Sequence, residues 1–153
     1  MITGLTHIHS SLRYVILALL IYTAIKAWMG WLGKKDFQPA DRKAGAITMG
    51  LLHLQLIIGL ALYIMKEYFN VFTLMKQMKE AGQDSSIVRF WGLEHISMMI
   101  VGIIMVTLGH MLSKRALTNE DKYRKLAIFF TLGLIIIFAA IPWPFMKSWG
   151  SWF

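Results

Sequence analysis

The chain is 153 residues long, 57% hydrophobic and 16% charged, with three prolines, no cysteine and a formal net charge of +8. A mean hydropathy of +0.56 sets it apart from soluble domains of this size and reads as an integral membrane protein. The lack of cysteine excludes disulfides, thiolate ligands and covalently attached c-type heme. The positive charge is split among short loops between apolar runs, which argues for membrane topology and against nucleic-acid binding.

The first apolar run, about residues 8–32, carries Arg13 and Lys26 near its ends, where long side chains snorkel to the interface. It lacks the basic leader of a cleavable signal and is expected to be retained. Lys34, Lys35, Arg42 and Lys43 follow it. The second run, 44–65, holds no charge and is long enough to span. Over about 68–80, Phe69, Phe72, Met75 and Met78 fall near helical spacing with Lys76, Lys79 and Glu80 between them, the pattern of a short interfacial helix. The third run is 88–113, followed by Lys114, Arg115, Lys122, Arg124 and Lys125. The fourth is about 123–146, with Pro142 and Pro144 stopping it. Trp28 and Trp31 mark one membrane edge; Tyr63, Tyr68, Trp91, Trp143, Trp149 and Trp152 mark the other. The expected fold is all-α, an antiparallel bundle of four transmembrane helices forming one domain over residues 1–153. The positive-inside rule sets both basic turns in the cytoplasm and both termini outside a cytoplasmic (inner) membrane.

An ionisable side chain at membrane depth is a functional-site hypothesis by default. His95 and His110 share the third run and lie roughly 22 Å apart along its axis. A helical wheel puts both on one face with Met98, Met99, Gly102, Met105, Val106 and Gly109, opposite Ile96, Ile100, Ile103, Ile104, Thr107, Leu108 and Met111. Gly102 and Gly109 admit either a neighbouring helix or a flat macrocycle. With this topology His7 and His9 enter level with His95, and His53 lies near the depth of His110. His7 and His9 are about 200° apart, so one faces inward; His9 is favoured because Arg13 follows one turn later, leaving His7 as the alternative outer ligand. Pairs His9 with His95 and His53 with His110 are what two stacked b-type hemes require, each iron taking an imidazole from two helices. Arg13 and Arg89 outside, and Lys114 and Arg115 inside, are available to anionic propionates. Gln55 is a second polar group at depth, able to meet a headgroup or to tie two helices together. Glu94 is read first as the partner of Arg13 or Arg89. The His-x-His pair beside methionines also admits copper, a weaker reading because methionine at helical spacing is usually core.

Through Thr6-His7-Ile8-His9-Ser10-Ser11-Leu12-Arg13, His53-Leu54-Gln55-Leu56-Ile57-Ile58-Gly59 and Glu94-His95-Ile96-Ser97-Met98-Met99, the chain resembles small four-helix cytochrome b-like membrane proteins. It is also distantly similar to one half of heme A synthase, in which histidines on the first and third helices of the bundle ligate heme and a Gln-x-x-x-Gly element lies between. That resemblance implicates His9 and His95, with Gln55 to Gly59 as the element. The synthase glutamate three residues before the first ligand is Thr6 here, which favours electron transfer or plain heme binding over heme oxidation. The expectation is a protein holding one or two b-type hemes, with His9, His95, His53 and His110 as iron ligands and Arg13, Gly102 and Gln55 around the cofactor. Its partners are the lipid bilayer and a quinone or a respiratory-chain membrane subunit. The rival is a heme-free accessory subunit of a larger membrane complex.

Overall fold

The computed structural model describes residues 2–145. Its long helices are Ile2–Leu32, Pro39–Met65, Ser86–Arg115 and Asn119–Ala140, each long and apolar enough to cross a bilayer. Only a helix satisfies every backbone N–H and C=O of such a run within itself in hydrocarbon. The chain is a multi-pass, all-α membrane protein. Polar residues lengthen the helices beyond the apolar runs that predict them. Gln38 and Asp41 cap the second helix reciprocally, with Pro39 in its first turn. Thr118 accepts from the Asp121 amide at 3.1 Å to start the fourth.

Turns at 33–38 and 116–118 lie at one end of the bundle and carry or adjoin the basic clusters; the longer 66–85 connection lies at the other. Around the bundle each helix neighbours the next in sequence, and the fourth closes against the first. The third and fourth helices pack most closely, the second and third least closely. Glycine explains the tight pair. A Cβ on Gly102 would stand 2.6 Å from Ile137 Cγ1, and one on Gly133 would stand 2.6 Å from Val106 Cγ2 and 3.0 Å from the Gly102 carbonyl. Gly109 meets Phe129 in the same way. Such small-residue contacts let backbones approach where the hydrophobic effect gives helices no reason to associate.

At the basic-loop end, buried Asp41 gathers three helices. It accepts from the Tyr123 hydroxyl at 2.5 Å and from the Gln38 amide at 3.1 Å, and it pairs with the Lys26 ammonium at 3.1 Å. Between the first and second helices the buried hydroxyls of Thr23 and Thr48 meet at 3.1 Å.

Two expectations about the fourth helix change. It ends at Ala140, short of residue 146, because Ile141 precedes Pro142 and turns extended at φ −80°, ψ 129°. Trp143, expected in an interfacial belt, is 6% exposed and its indole N–H donates to the Phe138 carbonyl at 3.1 Å. Met146, Trp149 and Trp152 lie outside the described residues. The interfacial segment forms as a 3₁₀ turn, Tyr68–Asn70, running into the helix Val71–Glu80, with Phe69 and Phe72 exposed and Val71 buried.

Replacing Gly133 by leucine drives a side chain into Val106 and the Gly102 backbone, and overpacking of this kind costs about 1–3 kcal/mol. The midpoint of thermal unfolding in detergent should fall accordingly. Gly50→Leu, at a position where an added Cβ meets nothing within 4 Å, should leave it unchanged.

Candidate functional site

The loose seam between the second and third helices opens into a cavity of about 250 Å³, in the half of the bundle away from the basic turns. Its polar lining includes His9, Ser10 and Arg13 from the first helix, Gln55 and Tyr63 from the second, and His95 from the third.

His9 faces the cavity, whereas His7 is exposed, as their angular separation requires. Gln55 and Gly59, one turn apart on the second helix, form the surface on which His9 rests. The Gln55 amide donates to the His9 carbonyl at 2.7 Å, and a Cβ on Gly59 would stand 3.1 Å from His9 Cε1. Gln55 therefore ties two helices while lining the cavity. His9 Nδ1 and Gln55 Oε1 are buried with no hydrogen-bond partner among the described residues.

His95 approaches His9 with ring centroids 6.5 Å apart and planes at 68°. Its Nδ1 lies 2.8 Å from the Ala140 carbonyl oxygen. A carbonyl only accepts, so Nδ1 carries a proton and, in the neutral ring, Nε2 keeps its lone pair. The availability of that carbonyl follows from proline. In a continuing helix Ala140 would receive the amide of residue 144, but Pro144 has none. Phe138 likewise loses the amide of Pro142, and its carbonyl accepts from the Ile141 amide at 3.3 Å and from the Trp143 indole at 3.1 Å.

The turn before His95 is a π-helix, Phe90–Glu94, a form frequent at functional sites. It seats Gly92 under Val71, whose Cγ2 would lie 2.5 Å from an added Cβ. It also leaves the Gly92 carbonyl to accept from the Tyr63 hydroxyl at 3.1 Å. Trp91 packs against the His95 ring with centroids 5.0 Å apart. Tyr68 also lines the cavity, and burial pushes its phenol above the ordinary range, keeping it a neutral donor.

The cationic groups at the rim are Arg13 and Lys66. Arg13 donates to the Tyr14 hydroxyl at 3.0 Å and lies 5.7 Å from the Trp143 ring centroid. Arg89 pairs with Glu94 at 2.8 Å, as the first reading of Glu94 expects. Lys66 was not singled out by sequence because its place at the end of the second helix depends on where that helix stops.

The remaining candidates are placed elsewhere. His53 donates from Nδ1 to the Met49 carbonyl at 2.8 Å, and its Nε2 lies 3.5 Å from the Thr107 hydroxyl. His110 lines a separate cavity at the basic end, with Nδ1 3.1 Å from the Cβ position of Gly45. His53 stands beside Thr107, one turn from His110 on the third helix, but it does not line the cavity that holds His110, and no ring contact between the two is found among the described residues. Gly102 serves the contact with the fourth helix and does not line the histidine cavity. Ile103 and Thr107, expected to face lipid, turn toward the core and His53 because the third helix meets two neighbours across a broad arc. Among the described residues no three His, Asp or Glu side chains converge as a metal cluster. His7 and His9 likewise point apart rather than together.

No family model matches the chain, and no curated protein or solved structure matches it.

Diethyl pyrocarbonate, which acylates neutral imidazole, should modify exposed His7 well before half-buried His95, whose ring lines the cavity between helices. Peptide mapping by mass spectrometry over a reaction time course reads both. Equal rates would contradict the placement of His95.

Proposed function

We propose that the protein binds a single b-type heme in the His9–His95 cavity and serves in electron transfer within the membrane. The observation that carries this reading is the pair of imidazoles from two helices, 6.5 Å apart, with His95 held in the tautomer that presents Nε2. Metal–imidazole bonds of about 2 Å, with the half-widths of two rings, separate centroids by roughly 6 Å when two histidines share one metal. A two-histidine set suits an iron whose other ligands come from a macrocycle.

His9 and His95 would hold the iron. The Ala140 carbonyl orients His95, the usual work of a second hydrogen bond on a ligand histidine. Arg13 and Lys66 would offer positive charge to anionic groups of the cofactor, and Trp91, Met99 and Ile137 would supply apolar walls. Bound there, heme supplies one-electron redox chemistry, with a quinol or a neighbouring respiratory subunit as the electron source. The basic turns are assigned to the cytoplasmic face of an inner membrane and the His9–His95 end to the outer leaflet. The inner heme expected from His53 and His110 is not carried forward, because His53 does not line the cavity that holds His110.

A heme-free accessory subunit is the second reading, favoured by the exposed Phe69 and Phe72 of the short helix, which offer an apolar face to a larger complex.

The test is the absorption spectrum of protein purified from heme-supplemented cells. A Soret band and a reduced-minus-oxidised α band are expected, at about one heme per chain. His95→Ala and His9→Ala should each abolish the low-spin spectrum, whereas His53→Ala and His110→Ala should leave it intact. Lack of any heme band in the wild type would sink the cytochrome reading and leave the accessory one.

A further inference from the structure

A second cavity, about 280 Å³, lies at the opposite end of the bundle. Cationic and hydrogen-bonding groups from three helices converge on it: Arg42 from the second, His110, Ser113 and Lys114 from the third, and Lys122 from the fourth. Among the described residues no acidic side chain lines it, Glu120 included. Three of the carboxylates nearby in sequence are engaged with other groups. Asp41 holds Lys26 and Tyr123, Asp121 holds Arg124, and Asp36 accepts from Asn119. Among the described residues Arg42, Lys114 and Lys122 make no ion pair, and Lys122 is steadied only over the Phe37 ring at 5.8 Å. Ser113 is 3% exposed, and no hydrogen bond of its hydroxyl is found among the described residues.

Three fixed positive charges around one concavity repel each other unless an anion joins them, and Arg with Lys and a hydroxyl is the donor set that suits phosphate. The first turn of the second helix, entered through Gln38 and Pro39, also borders the space and turns the positive end of its dipole toward it. We propose that this cavity is a binding site for a phosphate group, formed by Arg42, Lys114, Lys122 and Ser113. The site stands at the ends of spanning helices, where lipid headgroups lie, so the phosphate belongs either to an anionic lipid or to a small soluble phosphate compound. The proposal does not depend on heme, since His9 and His95 sit at the other end.

Native mass spectrometry of the full-length protein in detergent, titrated with dioctanoyl phosphatidic acid, dioctanoyl phosphatidylcholine or inorganic phosphate, tests it. Phosphatidic acid should bind in preference to phosphatidylcholine. The Arg42→Gln/Lys122→Gln variant should weaken that binding about tenfold or more, the scale of losing a charge-assisted bond. Lys35→Gln/Lys43→Gln removes the same net charge from outside the cavity and should bind as the wild type does. Displacement of phosphatidic acid by millimolar inorganic phosphate assigns a soluble phosphate ligand; no displacement assigns the headgroup. The proposal is overturned if the two double variants bind alike or if phosphatidylcholine binds equally well. Circular-dichroism melting checks the fold, and the single Arg42→Gln change, at an exposed position, serves if the double variant does not fold.

Discussion

The close contact of the third and fourth helices governs the rest of the bundle. Gly102, Gly109 and Gly133 remove the side chains that would hold two backbones apart, and in hydrocarbon this dispersion-driven approach takes the place of hydrophobic burial. The second helix buries Leu52 in the shared core and meets the first through Thr23 with Thr48 and Gln55 with the His9 carbonyl. Toward the third it packs least closely, joined there by Tyr63 with the Gly92 carbonyl and by His53 with Thr107. The histidine cavity opens along that looser seam.

The histidine pair depends on a second constraint, the supply of backbone acceptors. A spanning helix normally consumes its own carbonyls, so a membrane histidine has few fixed groups by which to be oriented. Pro142 and Pro144 change this locally by withholding two amides from the last turn of the fourth helix. One freed carbonyl holds Trp143 and another holds His95. The prolines therefore do more than stop a helix. They fix a tautomer on a neighbouring one.

Much of this was legible in the sequence. Charge-free runs marked the spans, angular spacing separated His9 from His7, and the Phe69 and Phe72 pattern marked the short helix. Ala140 could have been found as well, by asking which carbonyls a proline four residues later leaves unpaired. Other features were hidden for physical reasons. Depth arithmetic says nothing of side-chain direction, so it could not tell that His53 turns to Met49 and Thr107 while His110 turns to the basic-end cavity. Gly102 satisfies the requirements of helix packing and of a cofactor equally well, and only the position of Ile137 decides between them. The π turn has no reliable sequence mark, because its extra residue widens one turn without changing composition.

That turn bears on the length of the chain. Gly92 meets Val71 on one side while His95 meets Ala140 and the cavity on another. Between them the segment from Phe90 to Glu94 fits five residues into about one turn of wide π geometry, where an α-helix would use about four. Loss of one residue there would restore an ordinary α turn and leave the helix on either side facing much as it does now. The widened turn is thus the place in the third helix where a change of length is absorbed without turning His95 away from the cavity.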